Sequence, residues 1–396
     1  MEIEIRINQL SSYIRGLLEQ QDSLALYEQY KDAITAVQPE DLFQIFTAVL
    51  NEGYAADEIL MHLDKVIHVV YNSLHQTPCT LRPALFLDSL NMENQGLIRR
   101  LADITQILTT KAVQQRIADL QLILDDLTGF AVHYAKKENI LFPMLEKKDH
   151  KFDGLAIMWA LHNQIRAMLK EAQLLTKQEP LDVSAVTIAA GNVFFVMRSL
   201  VMKEEMLLFK VSNAWLSEEE EQDLLNQSFE YGFPLVSENE LQRLLANRIT
   251  KQASAFIPNQ LFYQSTTGSL RFDQLAMILG ALPVDLSFVD EENILRYFSK
   301  PKDRIFFRSE AAIGRNVKHC HPPQSVDKVL EIINAFKENR QDHAMFWITM
   351  KERKILIQYF ALRNEQGVYK GVLEVSQDIT EIQQLEGERR LLAWEL

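Results

Sequence analysis

The chain has 396 residues, 47% of them hydrophobic and 24% charged, a balance typical of soluble globular proteins that excludes a disordered or fibrous chain. At roughly 150 residues per domain, this length corresponds to about two to three domains. The formal charge of −13 disfavours non-specific contact with nucleic acid or anionic lipid, because phosphate contacts need a basic surface.

The sequence reads in three pieces. In the first, residues 1–78, apolar residues recur three and four apart in Leu17, Leu18, Leu24, Leu26, Tyr27 and Tyr30. They recur again in Leu42, Phe43, Ile45, Phe46, Val49 and Leu50, so three or four short helices are predicted. Pro39 stands in a first helical turn with Glu40 and Asp41 on the positive end of the dipole, and Gly53 stops that helix. The second piece, 79–231, holds four long helical patterns broken near Thr109, at His150 to Gly154, at Gln178 to Pro180 and at Tyr231. Short connections between long helices predict an up-down four-helix bundle, a fold that builds sites from inward side chains. Its longest uncharged stretch, Val183 to Met197, has 15 residues, short of the roughly 20 that span a bilayer, and reads as a buried bundle helix.

Residues 232–267, with Pro234, Pro258 and the polar run ending at Gly268, read as a linker. The third piece, 268–380, alternates in short runs: Leu286 to Asp290, Ile294 to Phe298, Ala344 to Thr349, Lys354 to Leu362 and Val368 to Ser376. With a helix from Ser325 to Lys337 between the groups, it predicts an α+β domain. A C-terminal helix is expected over 381–396. The two cysteines, Cys79 and Cys320, form no CxxC pair and suit a reducing compartment. The N-terminal residues lack a signal pattern, so a cytoplasmic protein is expected.

In the bundle the residue types that carry chemistry are His133 and Glu138 in HYAKKENILFP, His162 in WALHNQIR, and Glu204 and Glu205 in KEEMLLF. They fall on the second, third and fourth bundle helices, so all could face one interior point. Imidazole and carboxylate together suit iron, zinc or manganese. Against this, Glu204 and Glu205 beside Lys203 have the pattern of a solvated face, and a histidine every forty residues or so is ordinary.

These three segments, followed by Leu216 to Glu220, resemble the hemerythrin-like, or HHE, cation-binding domain. The whole chain resembles a bacterial and archaeal family that joins an N-terminal helical domain of unknown function, an HHE bundle and a C-terminal PAS domain. The N-terminal likeness lies in Val37 to Leu42, Asn51 to Gly53 and Glu58-Ile59. The C-terminal likeness lies in Leu282 to Leu286, Tyr297 to Ser299, His319 to Pro323 with Ser325-Val326, and Gln377 to Thr380.

The resemblance implies a non-haem iron site that meets dioxygen or nitric oxide, with His133, Glu138, His162 and Glu205 as metal ligands. The chain departs from that pattern. Leu85 to Asp88 stand where relatives have histidines ahead of Glu93-Asn94, Gln164 replaces a carboxylate, and no histidine precedes Lys203 by a turn. Two histidines and a few carboxylates fall short of a di-iron set. The residues fit a bundle that kept its fold and lost its metal better than a loaded one, with a mononuclear site as the alternative.

In the PAS-like piece, His319, Cys320 and His321 are candidate cofactor ligands, since imidazole and thiolate are both axial haem ligands. The plainer reading is a turn stiffened by Pro322-Pro323 and capped by Ser325. No P-loop, GxSxG or HExxH motif occurs. The expectation is therefore a non-catalytic sensor or signalling adaptor with an unidentified protein partner and no nucleic-acid or membrane partner. A homodimer through Phe272 to Leu279 and Glu381 to Leu392 is expected. The alternatives are a non-haem iron protein acting on dioxygen, nitric oxide or in iron-sulfur repair, and a haem-binding PAS sensor.

Overall fold

The computed structural model describes residues 2–110, 113–248, 262–301, 304–321 and 323–388. The chain forms two compact units, Met1–Thr250 and Lys251–Leu396.

The first unit is helical throughout. Four helices open it: α1 (Ile3–Leu18), α2 (Ser23–Thr35), α3 (Pro39–Asn51) and α4 (Ala56–Gln76). Asp22 caps α2 by accepting from the amides of Leu24 and Ala25, and Asp41 accepts from Gln38 N at 2.7 Å to close the start of α3. Gly53, at φ +101°, ends α3 as its position predicts.

The bundle follows. Its first helix is α5 (Phe86–Thr109). The second comprises α6 (Ile117–Gly129), α7 (Ala131–Lys136), a π turn over Lys137–Leu141, and α8 (Phe142–Lys148). A 3₁₀ turn (His150–Leu155) leads to the third, α9 (Ala156–Leu175). The fourth comprises α10 (Val183–Lys203), a π turn over Glu204–Leu208, and α11 (Phe209–Trp215); α12 (Glu218–Ser228) and α13 (Glu238–Ala246) close the unit. By length and composition the continuous helix Val183–Trp215 is the one helix among the described residues that passes for a membrane span. It buries Val186, Ala190, Val193, Met197, Leu200 and Val201 in the bundle core and leaves Ile188 and Phe195 exposed.

One hydrophobic core runs from Ile7 to Leu244, so the expected division at residue 78 separates no second core. Phe43 packs edge-on against Phe152 at 5.8 Å, Trp215 Nε1 donates to Glu40 Oε1, and Lys210 Nζ donates to the carbonyls of Leu74 and Thr77. Part of the expected linker also belongs to the bundle. The Leu235 carbonyl seats against Gly96, Leu244 is buried, and Asn247 Nδ2 donates to Ala84 O.

The second unit has a hairpin, β1 (Phe262–Ser265) and β2 (Gly268–Arg271), then α14 (Phe272–Ala281) and a five-stranded antiparallel sheet. Its strands are β3 (Asp285–Asp290), β4 (Leu295–Phe298), β5 (His343–Met350), β6 (Arg353–Arg363) and β7 (Tyr369–Asp378), in the order β4-β3-β7-β6-β5. The helix α15 (Pro323–Lys337) sends Val329, Ile333 and Phe336 onto one sheet face, where they meet Val289, Ile355, Ile357, Tyr359 and Val372. The fold is the one expected: helices first, then a five-stranded antiparallel sheet with helices. The expected C-terminal helix is not seen over 381–388, which hold a single 3₁₀ turn, Ile382–Gln384; residues 389–396 lie outside the described ones.

Candidate cation centre

The centre of the bundle is set by helical period. On α5, Phe86, Leu90, Leu97 and Leu101 are buried, and Glu93 and Asn94 fall on the same face. On the second helix, His133, Lys136 and Lys137 lie three and four residues apart and are all buried. An unbroken α-helix would turn Glu138 about 140° away from His133. The π turn that begins at Lys137 widens the coil there, and Glu138 is buried as well. On α10, Met197, Leu200 and Val201 lead by the same period to Glu204, the first residue of the second π turn, whose side chain is wholly buried.

His133 bridges two carboxylates, with Nδ1 at 2.7 Å from Glu93 Oε2 and Nε2 at 3.0 Å from Glu204 Oε2. The other oxygen of each carboxylate is taken by a lysine: Lys136 Nζ donates to Glu93 Oε1, and Lys137 Nζ donates to Glu204 Oε1. Asn94 Nδ2 adds a bond to Glu204 Oε2 at 2.7 Å. Lys136 also donates to the Gly232 carbonyl at 3.1 Å and lies 4.3 Å from the centre of the Phe233 ring. Beside this cluster, His162 Nδ1 is 2.9 Å from Glu138 Oε1, and Arg166 clamps both Glu138 oxygens at 2.9 and 3.0 Å.

Burial sets the protonation. Desolvation, helped by the lysine charges, holds His133 well below the usual imidazole range and His162 down to about 3, so both rings are neutral at pH 7. A neutral ring carries one N–H, so His133 donates to only one of its two carboxylates at a time. Glu93, pushed up to about 7 by burial against the pull of Lys136, holds a second hydrogen for this bridge only below that pH. Lys136 and Lys137 are pushed down by the same desolvation, against the pull of Glu93 on both and of Glu138 on Lys137. Glu138 is held low: its bonds from His162 and Arg166 outweigh the upward push of burial.

The structure brings together three of the four candidate ligands, His133, Glu138 and His162, and excludes the fourth. Glu205 is exposed, touched by Gln95 Nε2 at 3.3 Å, and Glu204 takes the inward place because it continues the buried period of α10. Lys136, Lys137, Glu93 and Asn94, not among the candidate ligands, complete the cluster. Their sequence signal is the spacing from His133 and from Leu90.

These residues do not fit a metal ion. The oxygens of Glu93, Glu204 and Glu138 are engaged by lysine, arginine, histidine and amide, and both nitrogens of His133 are spent. His162 Nε2 is a buried nitrogen without a partner, but it is a single donor, flanked by the Tyr134 ring stacked at 4.7 Å. Among the described residues no group of three or more His, Cys, Asp or Glu side chains is placed to hold an ion.

In the second unit, His319 ends the short turn Val317–His319, half-buried. Cys320 packs against the sheet core with Sγ 3.5 Å from Asn316 O, and His321 Nδ1 donates to Val317 O at 3.0 Å. The inner sheet face beside the core is polar: Glu374 accepts from Arg308 at 3.0 Å, near Ser287, Ser376 and Tyr359. Burial lowers His321, with Glu374 pulling it the other way.

Comparison with known families agrees with this architecture. Residues 85–212 match the family described as the hemerythrin HHE cation binding domain, and residues 275–380 match a PAS domain family. Among solved structures, the chain is similar to a C-terminal domain from Streptococcus mutans, at 28% identity and TM-score 0.31, over 32% of this chain and 99% of that one. It is similar to a sensory box sensor histidine kinase from Vibrio cholerae, at 18% identity and TM-score 0.22, over 27% and 90%. A PAS domain from Colwellia psychrerythraea matches at 20% identity and TM-score 0.23, over 28% and 98%. No curated protein matches. The chain thus joins a hemerythrin-type HHE domain to a C-terminal PAS domain.

Proposed function

We propose that the protein is a cytoplasmic signalling adaptor whose PAS domain reports by pairing with a second copy of itself. Signalling is the reading that the union of an HHE bundle with a PAS domain supports. The observation that carries the pairing is an apolar surface that the described residues leave uncovered. None of the side chains of α14 is fully buried, although the helix reads FDQLAMILGA, and Met277 is 62% exposed. The sheet face opposite α15 is also apolar. Strand register places Trp347 beside Leu356, Met345 in the row of Gln358 and Val375, and Phe360, Leu373 and Phe288 in the next. Trp347, on the edge strand β5, is 59% exposed. A helix and a sheet face with uncovered apolar side chains in one chain can cover each other in a symmetric pair, because each copy supplies both halves.

The signal would then be a population shift: a ligand that favours one packing of the PAS domain changes the pairing by no more than its differential affinity for the two states. Light scattering on the full chain at micromolar concentration tests the reading. A mass of two chains supports it, and a monomer across that range rejects it.

A further inference from the structure

We infer that Lys136 and Lys137 are the resident cations of this bundle: their two ammonium groups stand on Glu93 and Glu204 as fixed, covalently tethered counter-ions, so the HHE fold here is held together without a metal ion. The inference is independent of the pairing proposed for the PAS domain.

Three observations carry it. The lysines sit at the meeting point of α5, the second bundle helix and the π turn after α10, and both have wholly buried side chains. A solvent-facing pair could be incidental, but a buried ammonium is tolerated only when a carboxylate compensates it. Once Glu93 has lost its proton, charge is also already balanced: Glu93, Glu204 and Glu138 face Lys136, Lys137 and Arg166 one for one. A divalent ion placed among them would add two uncompensated charges next to two ammonium groups that cannot leave. Finally, the lysines take one oxygen of each carboxylate while His133 takes the other, so the set is saturated. Both lysines share an inward face with His133, three and four residues away, and this spacing gives the cations their address in the sequence.

Cobalt(II) is a suitable probe, because its visible bands report coordination directly. The full-length wild-type protein is expected to develop no such bands, and its melting temperature is expected to be unmoved by a chelator or by added cobalt. The Lys136→Ala/Lys137→Ala variant leaves two or three carboxylates and two imidazoles around an emptied space. Its melting temperature is expected to fall by roughly 10 °C or more without metal. Cobalt should restore it, and bands should appear. Cobalt bands in the wild type, a double variant as stable as its parent without metal, or a folded double variant that cobalt leaves unchanged would each overturn the inference. If the double variant does not fold, the compensated variants Lys137→Met/Glu204→Gln and Lys136→Met/Glu93→Gln decide. Melting within a few degrees of the parent upholds the lysines as counter-ions, because removing both charges of a buried pair is close to neutral. Failure of both to fold overturns it.

Discussion

His162 is a neutral imidazole whose Nδ1–H is committed to Glu138 Oε1, and burial holds its folded pKa down to about 3. In the unfolded chain it takes a proton near pH 6.5. A group with a depressed folded pKa binds its proton first in the unfolded state. Stability is therefore lost as pH falls from about 6.5 toward 3, by about 1.4 kcal/mol per unit for this one ring. Glu93 acts in the opposite sense. Raised to about 7, it stays protonated in the fold while the unfolded carboxyl ionises, so its contribution declines as pH rises from about 4.5 to 7. Urea midpoints of the wild type and His162→Gln between pH 7 and 5 isolate the histidine. The variant's curve should be flatter by about one proton's slope, and parallel curves would show that His162 is not the group titrating. The same scale shows what a linear sequence conceals. His133, Glu138 and His162 are recognisable as a histidine-carboxylate set, and burial brings them together. Motif position points to Glu205, yet one residue of helical phase sends it to solvent and Glu204 inward. The lysines carry no such mark, because a Lys-Lys-Glu run has the composition of a wet surface. Only its spacing from His133 marks the inward face.

At the scale of elements, helix periodicity and turn residues gave most of the architecture, including Gly53 and all five strands of the main sheet. What they did not show is which elements share a core. Gly154 illustrates the reason. Read along the chain it is a helix break, but in the fold it lets the turn His150–Leu155 lie against α3. A Cβ there would come 2.6 Å from Phe43 O and 3.0 Å from Phe46 Cβ. Thr47 Oγ1 ties the same contact, donating to Lys151 O at 2.6 Å and accepting from Gly154 N at 2.7 Å. Gly154→Ala should therefore cost about 1–3 kcal/mol, because backbone must move to make room. Gly191, inside α10 with nothing within 4 Å of an added Cβ, is the matched control. There alanine should stabilise by about 1 kcal/mol through helix propensity alone. Thermal unfolding of the two variants checks the pair, and equal shifts would show that the α3 contact is not a tight one. Residues 232–247 teach the same lesson: Pro234 and the weak periodicity mark a linker, while their docking rests on a carbonyl against Gly96 and a ring beside Lys136, neither of which has a periodic signature.

For the molecule as a whole, the two units place opposite demands on their apolar residues. The helical unit gathers its apolar period into one core, whereas among the described residues the PAS unit leaves much of α14 and edge-strand side chains such as Met345 and Trp347 exposed. In the sequence Phe272 to Leu279 already stands out, with Glu381 to Leu392, as an apolar pairing segment, though the sheet face that could cover it emerges only once strand register is known. If α14 of one copy lies on the sheet of the other, Met277 and Trp347 sit in the buried middle of a two-fold interface, where a few large side chains carry most of the affinity. Met277→Glu or Trp347→Asp should then each weaken pairing at least about 30-fold, equivalent to about 2 kcal/mol, because a carboxylate would be buried without a partner. Each change lies on a surface that the isolated fold leaves open, so circular dichroism and melting temperature should stay near those of the parent. Exposed Leu122, on α6 of the other unit, supplies the comparison: Leu122→Glu should leave pairing unchanged. Sedimentation equilibrium of the three variants against the wild type reads all of this at once. Loss of pairing in the two PAS variants alone assigns the interface to α14 and the sheet, and equal pairing in all four proteins removes these surfaces from it.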